Sequence, residues 1–269
     1  MVVKNKDFDL AHTFECGQCF RWNSDDEGTY IGVVGESVIK VSPKGNDTFD
    51  FECNDPTIIE EYFDLKRDYS KIKESLAQTD QILKAAVERG RGIRILKQDP
   101  WEVIVSFIIS ANNNIPRIKK IVESLCFNFG KQITFNEEIY YTFPQAKDVA
   151  RLSIDDIAVI RSGFRAKYIL DAAKKVSEGT VDINAPFKMT TSEAREYLKQ
   201  ICGVGDKVAD CILLFAYQKY DVFPKDVWTK RVLNELYGVS EKDFDRFVAE
   251  HFGDLAGFAQ QYLFYNIRG

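Results

Sequence analysis

The run Gly203-Val204-Gly205-Asp206-Lys207-Val208-Ala209-Asp210-Cys211 constrains this chain more than any other stretch. Two glycines flanking one residue let the backbone reverse sharply and approach another surface closely. Ser192-Glu193 upstream opens a helical pattern that reaches Ile201, and a second helical pattern runs from Asp206 to about 217. The segment 191–218 therefore reads as two helices joined by a glycine hairpin. The free N–H groups and positive dipole end of the second helix favour an anion such as a phosphate. Lys207 falls in the first turn of that helix. Asp226 follows 19 residues later, in Phe223-Pro224-Lys225-Asp226-Val227-Trp228, where it caps the next helix. A helix N-terminus and burial both disfavour an ammonium, which is how a lysine becomes a nucleophile. A carboxylate fixed by cap N–H groups stays ionised and can stabilise positive charge. Taken alone, a solvated helical lysine and a plain cap are equally open readings.

The 269 residues suffice for one large domain or for two or three smaller ones sharing a core. With 45% apolar and 13% aromatic residues, wholesale disorder is excluded. No apolar run approaches the ~20 residues of a membrane span, and the N-terminal residues lack the apolar centre of a secretory signal. A soluble, intracellular monomer with no membrane partner is expected. The net charge of −5 argues mildly against nucleic acid. It does not decide the matter, because phosphate contact depends on local charge and on aimed N–H groups. Cys16-Gly17-Gln18-Cys19 has the spacing of half a zinc site or a redox pair. No second pair accompanies it, and the only histidines are His12 and His251, so reduced thiols are the preferred reading.

The first fifty or so residues are β-rich, with β-branched runs at 29–34 and 37–41, a turn cluster at 42–47 and period-two alternation over 48–53. From Asp55 the period becomes helical. Asp99-Pro100-Trp101-Glu102 is a strong helix start, with Asp as cap, Pro first and Glu third. Pro116 opens a helix ending near Gly130. Further helical patterns cover about 153–162, 164–178, 191–201, 206–217, 227–237, 241–251 and 255–266. The expected fold class is α+β: an N-terminal antiparallel β-sheet domain with flanking helices (1–78) packed on a mostly helical domain (79–269). The last helix should pack back toward the N-terminal domain.

The hairpin, Lys207 and Asp226 together resemble the helix-hairpin-helix DNA glycosylase superfamily, and within it the 8-oxoguanine DNA glycosylase/AP lyase family. Four further segments carry the resemblance in order: Cys16-Gly17-Gln18-Cys19-Phe20-Arg21-Trp22, Gln98-Asp99-Pro100 with Ser110-Ala111-Asn112-Asn113-Asn114-Ile115, Gly163-Phe164-Arg165-Ala166-Lys167-Tyr168, and Gly257 to Phe264. The resemblance implies an enzyme that flips 8-oxoguanine out of duplex DNA, excises it through a Lys207 Schiff base, and cleaves the strand by β-elimination. Asp226 would support charge on the sugar. Gly17 would offer a carbonyl to the N7 proton that only the oxidised base carries, Gln260 would read the pairing edge, and Cys211 and Phe264 would sandwich the ring. Asn112 and Arg117 would read the orphaned partner base, with Phe164 as wedge and Arg165 beside it. Gly203, Val204 and Gly205 would grip phosphate. Carbonyls of Lys199, Ile201 and Val204 would hold a structural cation at the hairpin; no cofactor is required, and the four-cysteine iron–sulfur pattern of other branches is absent. The family's frequent wedge tyrosine is Phe164 here, and a histidine of better-known members is Trp228, still placed toward DNA. The rivals are a monofunctional glycosylase for alkylated bases, using Asp226 and water, and a non-catalytic hairpin module that merely binds DNA.

Overall fold

The computed structural model describes residues 1–268. The β-branched N-terminal runs form one antiparallel sheet of β1 (Val2–Lys4), β2 (Trp22–Ser24), β3 (Tyr30–Val34), β4 (Ser37–Gly45) and β5 (Thr48–Cys53), in the order β1-β5-β4-β3-β2. The turn at 42–47 is shorter than its composition suggests. β4 runs on through Pro43, which is accommodated at a register shift between Pro43 and Gly45. The reversal itself is Asn46-Asp47, at φ 49° and 58°, a left-handed pair that Asn and Asp tolerate in two-residue hairpins. The helix α1 (Leu10–Phe14) crosses between β1 and β2. Its Phe14 stacks on Trp22 with centroids 4.1 Å apart, in an aromatic core shared with Phe8, Phe51 and Phe63.

The remainder is helical: α2 (Ile59–Tyr62), α3 (Tyr69–Thr79), α4 (Gln81–Arg89), α5 (Pro100–Ser110), α6 (Ile115–Phe129), α7 (Ala146–Val149), α8 (Ile154–Ile157), α9 (Ala166–Ser177), α10 (Thr191–Leu198), α11 (Asp206–Tyr217), α12 (Val227–Glu235), α13 (Phe244–His251) and α14 (Ala256–Arg268). The α+β class is as expected. Three local readings differ. The segment 153–162 is broken, because α8 stops at Ile157 and Arg161 turns left-handed at φ 55°. The pattern at 191–201 ends as a helix at Leu198, where the hairpin takes over. A small hairpin of β6 (Gln132–Phe135) and β7 (Glu138–Tyr141) interrupts the helices; its Asn136-Glu137 turn has two positive φ values.

α5 is the central helix. Asp99 accepts from the Glu102 N–H, and Pro100 occupies the first position. The Glu102 carboxylate does not return to the cap; it pairs with Arg21 at 3.3 Å, tying α5 to the N-terminal domain. α11 packs on α5, with Phe215 stacked on Phe107 at 5.3 Å, and α14 packs on α4 and α12.

Two buried side chains join the N-terminal domain to the helices. The Arg94 guanidinium donates to the carbonyls of Phe63, Asp64, Arg67 and Asp7, with the Tyr69 ring 4.0 Å away. Gln18 donates to the carbonyls of Thr13 (2.8 Å) and Arg94 (2.7 Å), and accepts from the Leu96 N–H (2.9 Å). Both satisfy backbone groups that burial would otherwise leave unpaired. Gln18 thereby fixes its neighbour, Gly17, beside Ile115 of α6 and Phe264 of α14.

Candidate active site and nucleic-acid interface

Four elements meet at one small cavity of about 50 Å³. α11 brings Lys207 and Cys211, one turn apart on the same face. The loop before α12 brings Pro224 and Asp226, α14 brings Gln260, Gln261 and Phe264, and the Gln18-anchored turn brings Gly17. Larger clefts of about 340 and 280 Å³ lie beside the β6–β7 hairpin. Their lysines are already engaged, Lys131 with Glu36 and Lys119 with the Trp22 carbonyl, so chemistry rather than volume locates the site. A space of 50 Å³ holds only about one or two waters. The reason is Phe264, whose ring edge lies against Gly17: a Cβ at Gly17 would stand 3.3 Å from it, and φ there is +79°. A base admitted between Cys211 and Phe264 must displace that ring.

Lys207 is half-buried, with Nζ 5.6 Å from the Phe107 ring centre. Asp226 caps α12 through a capping box: one carboxylate oxygen, Oδ1, accepts from the Thr229 N–H (2.8 Å) and hydroxyl (3.0 Å), while the Thr229 hydroxyl accepts from the Asp226 N–H. Among the described residues, Asp226 Oδ2 has no hydrogen-bond partner, so cap and free acceptor coexist in one carboxylate. Burial pushes the Cys211 thiol up to about 11, partly offset by the Lys207 charge; Cys211 is thus a neutral thiol wall. Cys16 and Cys19 are buried in different cores. Burial raises both thiols, Cys16 to about 12, so the pair acts as packing.

The hairpin sorts its N–H groups by direction. The inner ones are bound: Cys202 N–H donates to Asp171 Oδ2 (2.8 Å) and Val204 N–H to the Ile201 carbonyl (3.1 Å). Those of exposed Gly203 and Gly205 take no partner among the described residues. Gly205 is also the N-cap of α11 and offers no side chain to it, which leaves the first N–H groups of that helix open to an anion. Gly203 has φ +86°, and a Cβ there would meet the Tyr168 ring at 2.8 Å, so no other residue fits without movement. Lys175 donates to the Gln200 carbonyl (2.6 Å) and pairs with Asp171 (3.0 Å). Asp171, Lys175 and Tyr168, all on α9, form a brace beneath the hairpin. Lys199 pairs with Asp206 (2.9 Å) and Glu196 (3.0 Å), and the Ile201 carbonyl retains one lone pair beyond its bond to Val204.

At the other end of α9, Asn112 and Arg117 are exposed, with Asn112 at φ 50°. Phe164 is 54% exposed and lies edge-on to Tyr168 at 6.0 Å. Arg165 departs from the expectation of a DNA-contacting arginine. It is buried, and four N–H bonds go to the carbonyls of Ala111, Asn112 and Ser162. At most one Nη1 N–H remains for a ligand. Burial and the nearby Arg117 charge lower its pKa. It shapes the Asn112 turn from beneath. Trp228, 40% exposed, follows Asp226 at the rim.

The expected residues of the catalytic and base pockets therefore come together, and the partner-base and phosphate residues flank them along α9. Sequence reasoning missed Gln18, Arg94, Asp171, Lys175, Tyr168 and Gln261. Gln18 and Tyr168 lay within the segments that carry the resemblance but were given no role; Asp171 and Lys175 carried a local signal, an i,i+4 ion pair, and their bonds to the hairpin cross 31 and 25 residues.

Comparison with known proteins agrees with this geometry. Residues 105–256 match the model of the HhH-GPD superfamily of base excision DNA repair proteins, and residues 1–104 match the N-terminal domain of 8-oxoguanine DNA glycosylases. The chain belongs to the helix-hairpin-helix base excision repair superfamily. It is 30% identical to the N-glycosylase/DNA lyase OGG1 of Arabidopsis thaliana over 98% of this chain and 78% of that protein. Among solved structures it resembles the Clostridium acetobutylicum 8-oxoguanine glycosylase/lyase in complex with double-stranded DNA containing cytosine opposite 8-oxoG, with 41% identity, TM-score 0.93, and 100% and 97% of the two chains covered. It also resembles MBOgg1 in complex with a low affinity DNA ligand, with 47% identity, TM-score 0.95, and 99% and 94% covered. Within the superfamily, this chain is a member of the 8-oxoguanine N-glycosylase/DNA lyase family. Among the described residues no helix is long and apolar enough to cross a membrane.

Proposed function

We propose that this enzyme excises 8-oxoguanine from duplex DNA with Lys207 as the nucleophile and then cleaves the strand. The neutral Lys207 amine attacks the anomeric carbon of the flipped nucleotide. The bond from that carbon to the base breaks, and the base leaves with the electron pair and gains a proton. Loss of the amine proton and opening of the sugar ring give an imine, whose electron-withdrawing C=N acidifies the 2′ carbon. Removal of a 2′ proton expels the 3′ phosphate. Asp226, held by its cap bonds with Oδ2 free, stabilises positive charge on the sugar and assists these proton transfers.

Gly17 supplies the carbonyl that accepts from N7–H of the oxidised base; an unoxidised guanine would present a lone pair there. Gln260 reads the pairing edge, and Cys211 and Phe264 sandwich the ring. Asn112 and Arg117 read the partner base, Phe164 fills the vacated stack, and Arg165 holds the turn that presents Asn112. Gly203 and Gly205 grip a phosphate through backbone N–H groups, whereas Val204, expected to join them, is buried with its N–H bound to the Ile201 carbonyl and only supports the turn; Trp228 contacts DNA at the rim. A cation on the carbonyls of Lys199, Ile201 and Val204 would brace the hairpin. One chain carries every part, so a monomer suffices.

The observation that carries this reading is the meeting of Lys207, Asp226 and Gln260 at one cavity. A non-catalytic module has no use for a half-buried amine beside a preset carboxylate, and a water-using glycosylase has none for Lys207. Borohydride reduction with a duplex containing 8-oxoguanine opposite cytosine tests it. The native protein should be trapped covalently, and Lys207→Gln should not, with excision reduced on the order of a thousandfold or more and melting unchanged. Base release without trapping would mean a water-using mechanism instead.

A further inference from the structure

The cavity is lined by two adjacent glutamines, of which the reading above uses one. Gln261 is 2% exposed and Gln260 5%. Among the described residues, only four buried side-chain N or O atoms lack a hydrogen-bond partner, and Oε1 of each glutamine is among them. Burying an amide without a partner is costly. Two such amides side by side at a ligand cavity mark a place where a polar ligand completes the bonding.

Successive residues of a helix point about 100° apart, so the two glutamines reach the cavity in different directions from the one wall that α14 forms. Gln260 shares its face with Phe264, four residues on. Gln261 shares its face with Tyr265, whose ring lies 5.1 Å from that of His12. That turns Gln261 toward the His12 side of α14, a different face from the one on which Phe264 meets Gly17.

The chemistry of the base needs a second amide. The pairing edge of 8-oxoguanine presents three polar groups in a row: the O6 acceptor, the N1–H donor and the 2-amine donor. One amide, with one oxygen and one NH₂, meets two adjacent groups of such a row. In a cavity this closed, the third is left without water. We infer that Gln261 is a second base-reading residue, which pairs with the group on that edge that Gln260 leaves unmet. The inference rests on the proposal that the flipped oxidised purine occupies this cavity.

An abasic site provides the test, because it contains the sugar that Lys207 attacks and no base to read. Gln261→Leu should lower single-turnover excision of 8-oxoguanine by about ten- to a hundredfold. It should leave cleavage of an abasic-site duplex within about twofold of wild type. Melting should be unchanged or raised, since an unpartnered buried amide is replaced by an apolar group. Gln261→Met, unbranched and of similar length, should behave alike, and serves if the leucine variant folds poorly. Equal losses on both substrates, or no loss on either, would overturn the inference. Gln260→Leu, measured in parallel, separates the two levels of argument. If only the Gln260 variant distinguishes the substrates, this inference alone fails; if neither does, the placement of the base in the cavity fails with it.

Discussion

Two turns flank α9, and they prepare for DNA in opposite ways. The hairpin at Gly203–Gly205 presents backbone: its inner N–H groups are bound by Asp171 and the Ile201 carbonyl, and its outer ones are free. The turn at Ala111–Asn112 presents side chains, and Arg165 binds its carbonyls from beneath. Backbone N–H groups suit phosphate, which is the same at every nucleotide; amide and guanidinium side chains suit base edges, which differ. One helix holds both, through a carboxylate and a lysine along its middle and C-terminal half and the arginine at its N-cap. Tyr168 lies under Gly203 and edge-on to Phe164, the neighbour of Arg165. The lesson is that each turn is set by a partner chosen to match whichever backbone groups must face inward.

Among changes around α9, the largest expected effect is at the Asn112 turn. Arg165→Ala strands the carbonyls of Ala111 and Asn112, which should cost about 2 kcal/mol of stability. It should also change the ratio of single-turnover excision rates on duplexes with cytosine and with adenine opposite the lesion by about tenfold. If discrimination survives, Arg165 does not shape the reading turn, and the contrast between the two ends of α9 collapses.

Next comes the hairpin. Asp171→Ala should weaken binding to undamaged and damaged duplexes alike, by about tenfold, because phosphate contact carries no sequence information. Because no cation is removed, the slope of log Kd against log salt should stay as in wild type, and Asp171→Asn should restore most of the affinity by keeping an acceptor for Cys202. A changed slope would mean that the variant lost a charge contact instead. The pH dependence sharpens this. Burial pushes the Asp171 carboxyl up, but the Cys202 N–H and Lys175 outweigh it and hold the pKa below its usual 3.8. The brace is therefore present above pH 3.8 and lost only as the pH falls through the lowered value. DNA affinity should show no step from this group between pH 8 and 5.

The smallest effect is at Phe164. Its ring is already half in solvent, so Phe164→Ala should change stability by less than about 0.5 kcal/mol. Excision should slow by roughly threefold to tenfold through loss of stacking, with abasic-site cleavage spared. A large loss of stability would show that the ring packs against Tyr168 for folding and is no free wedge.

Much of the fold was legible because its signals are local. The caps at Asp99 and Asp226, the period-two strands and the Gly-Val-Gly hairpin each declare themselves within a few residues. The failures are local conflicts settled elsewhere. Pro43 reads as a turn, yet a register shift lets the strand continue through it. The pattern at 153–162 reads as one helix, yet Arg161 turns left-handed within it. Arg165 reads as a DNA-contacting arginine beside the wedge Phe164, and becomes a buried clamp because the carbonyls of a segment more than fifty residues away need donors.

The sequence by itself determined the chemistry on offer: an amine at a helix start, a carboxylate at another, a glycine hairpin and an amide-bearing last helix. Residue type and short-range spacing specify these, because capping, turn formation and helix faces depend on neighbours within about four positions. Only the tertiary structure decided that Gly17, Lys207, Asp226 and two glutamines share one cavity, that Phe264 closes it, and that Arg165 faces inward while Gly203 faces outward. Those outcomes follow from which buried polar groups find partners across dozens of residues, a condition that no local stretch of chain can satisfy or reveal.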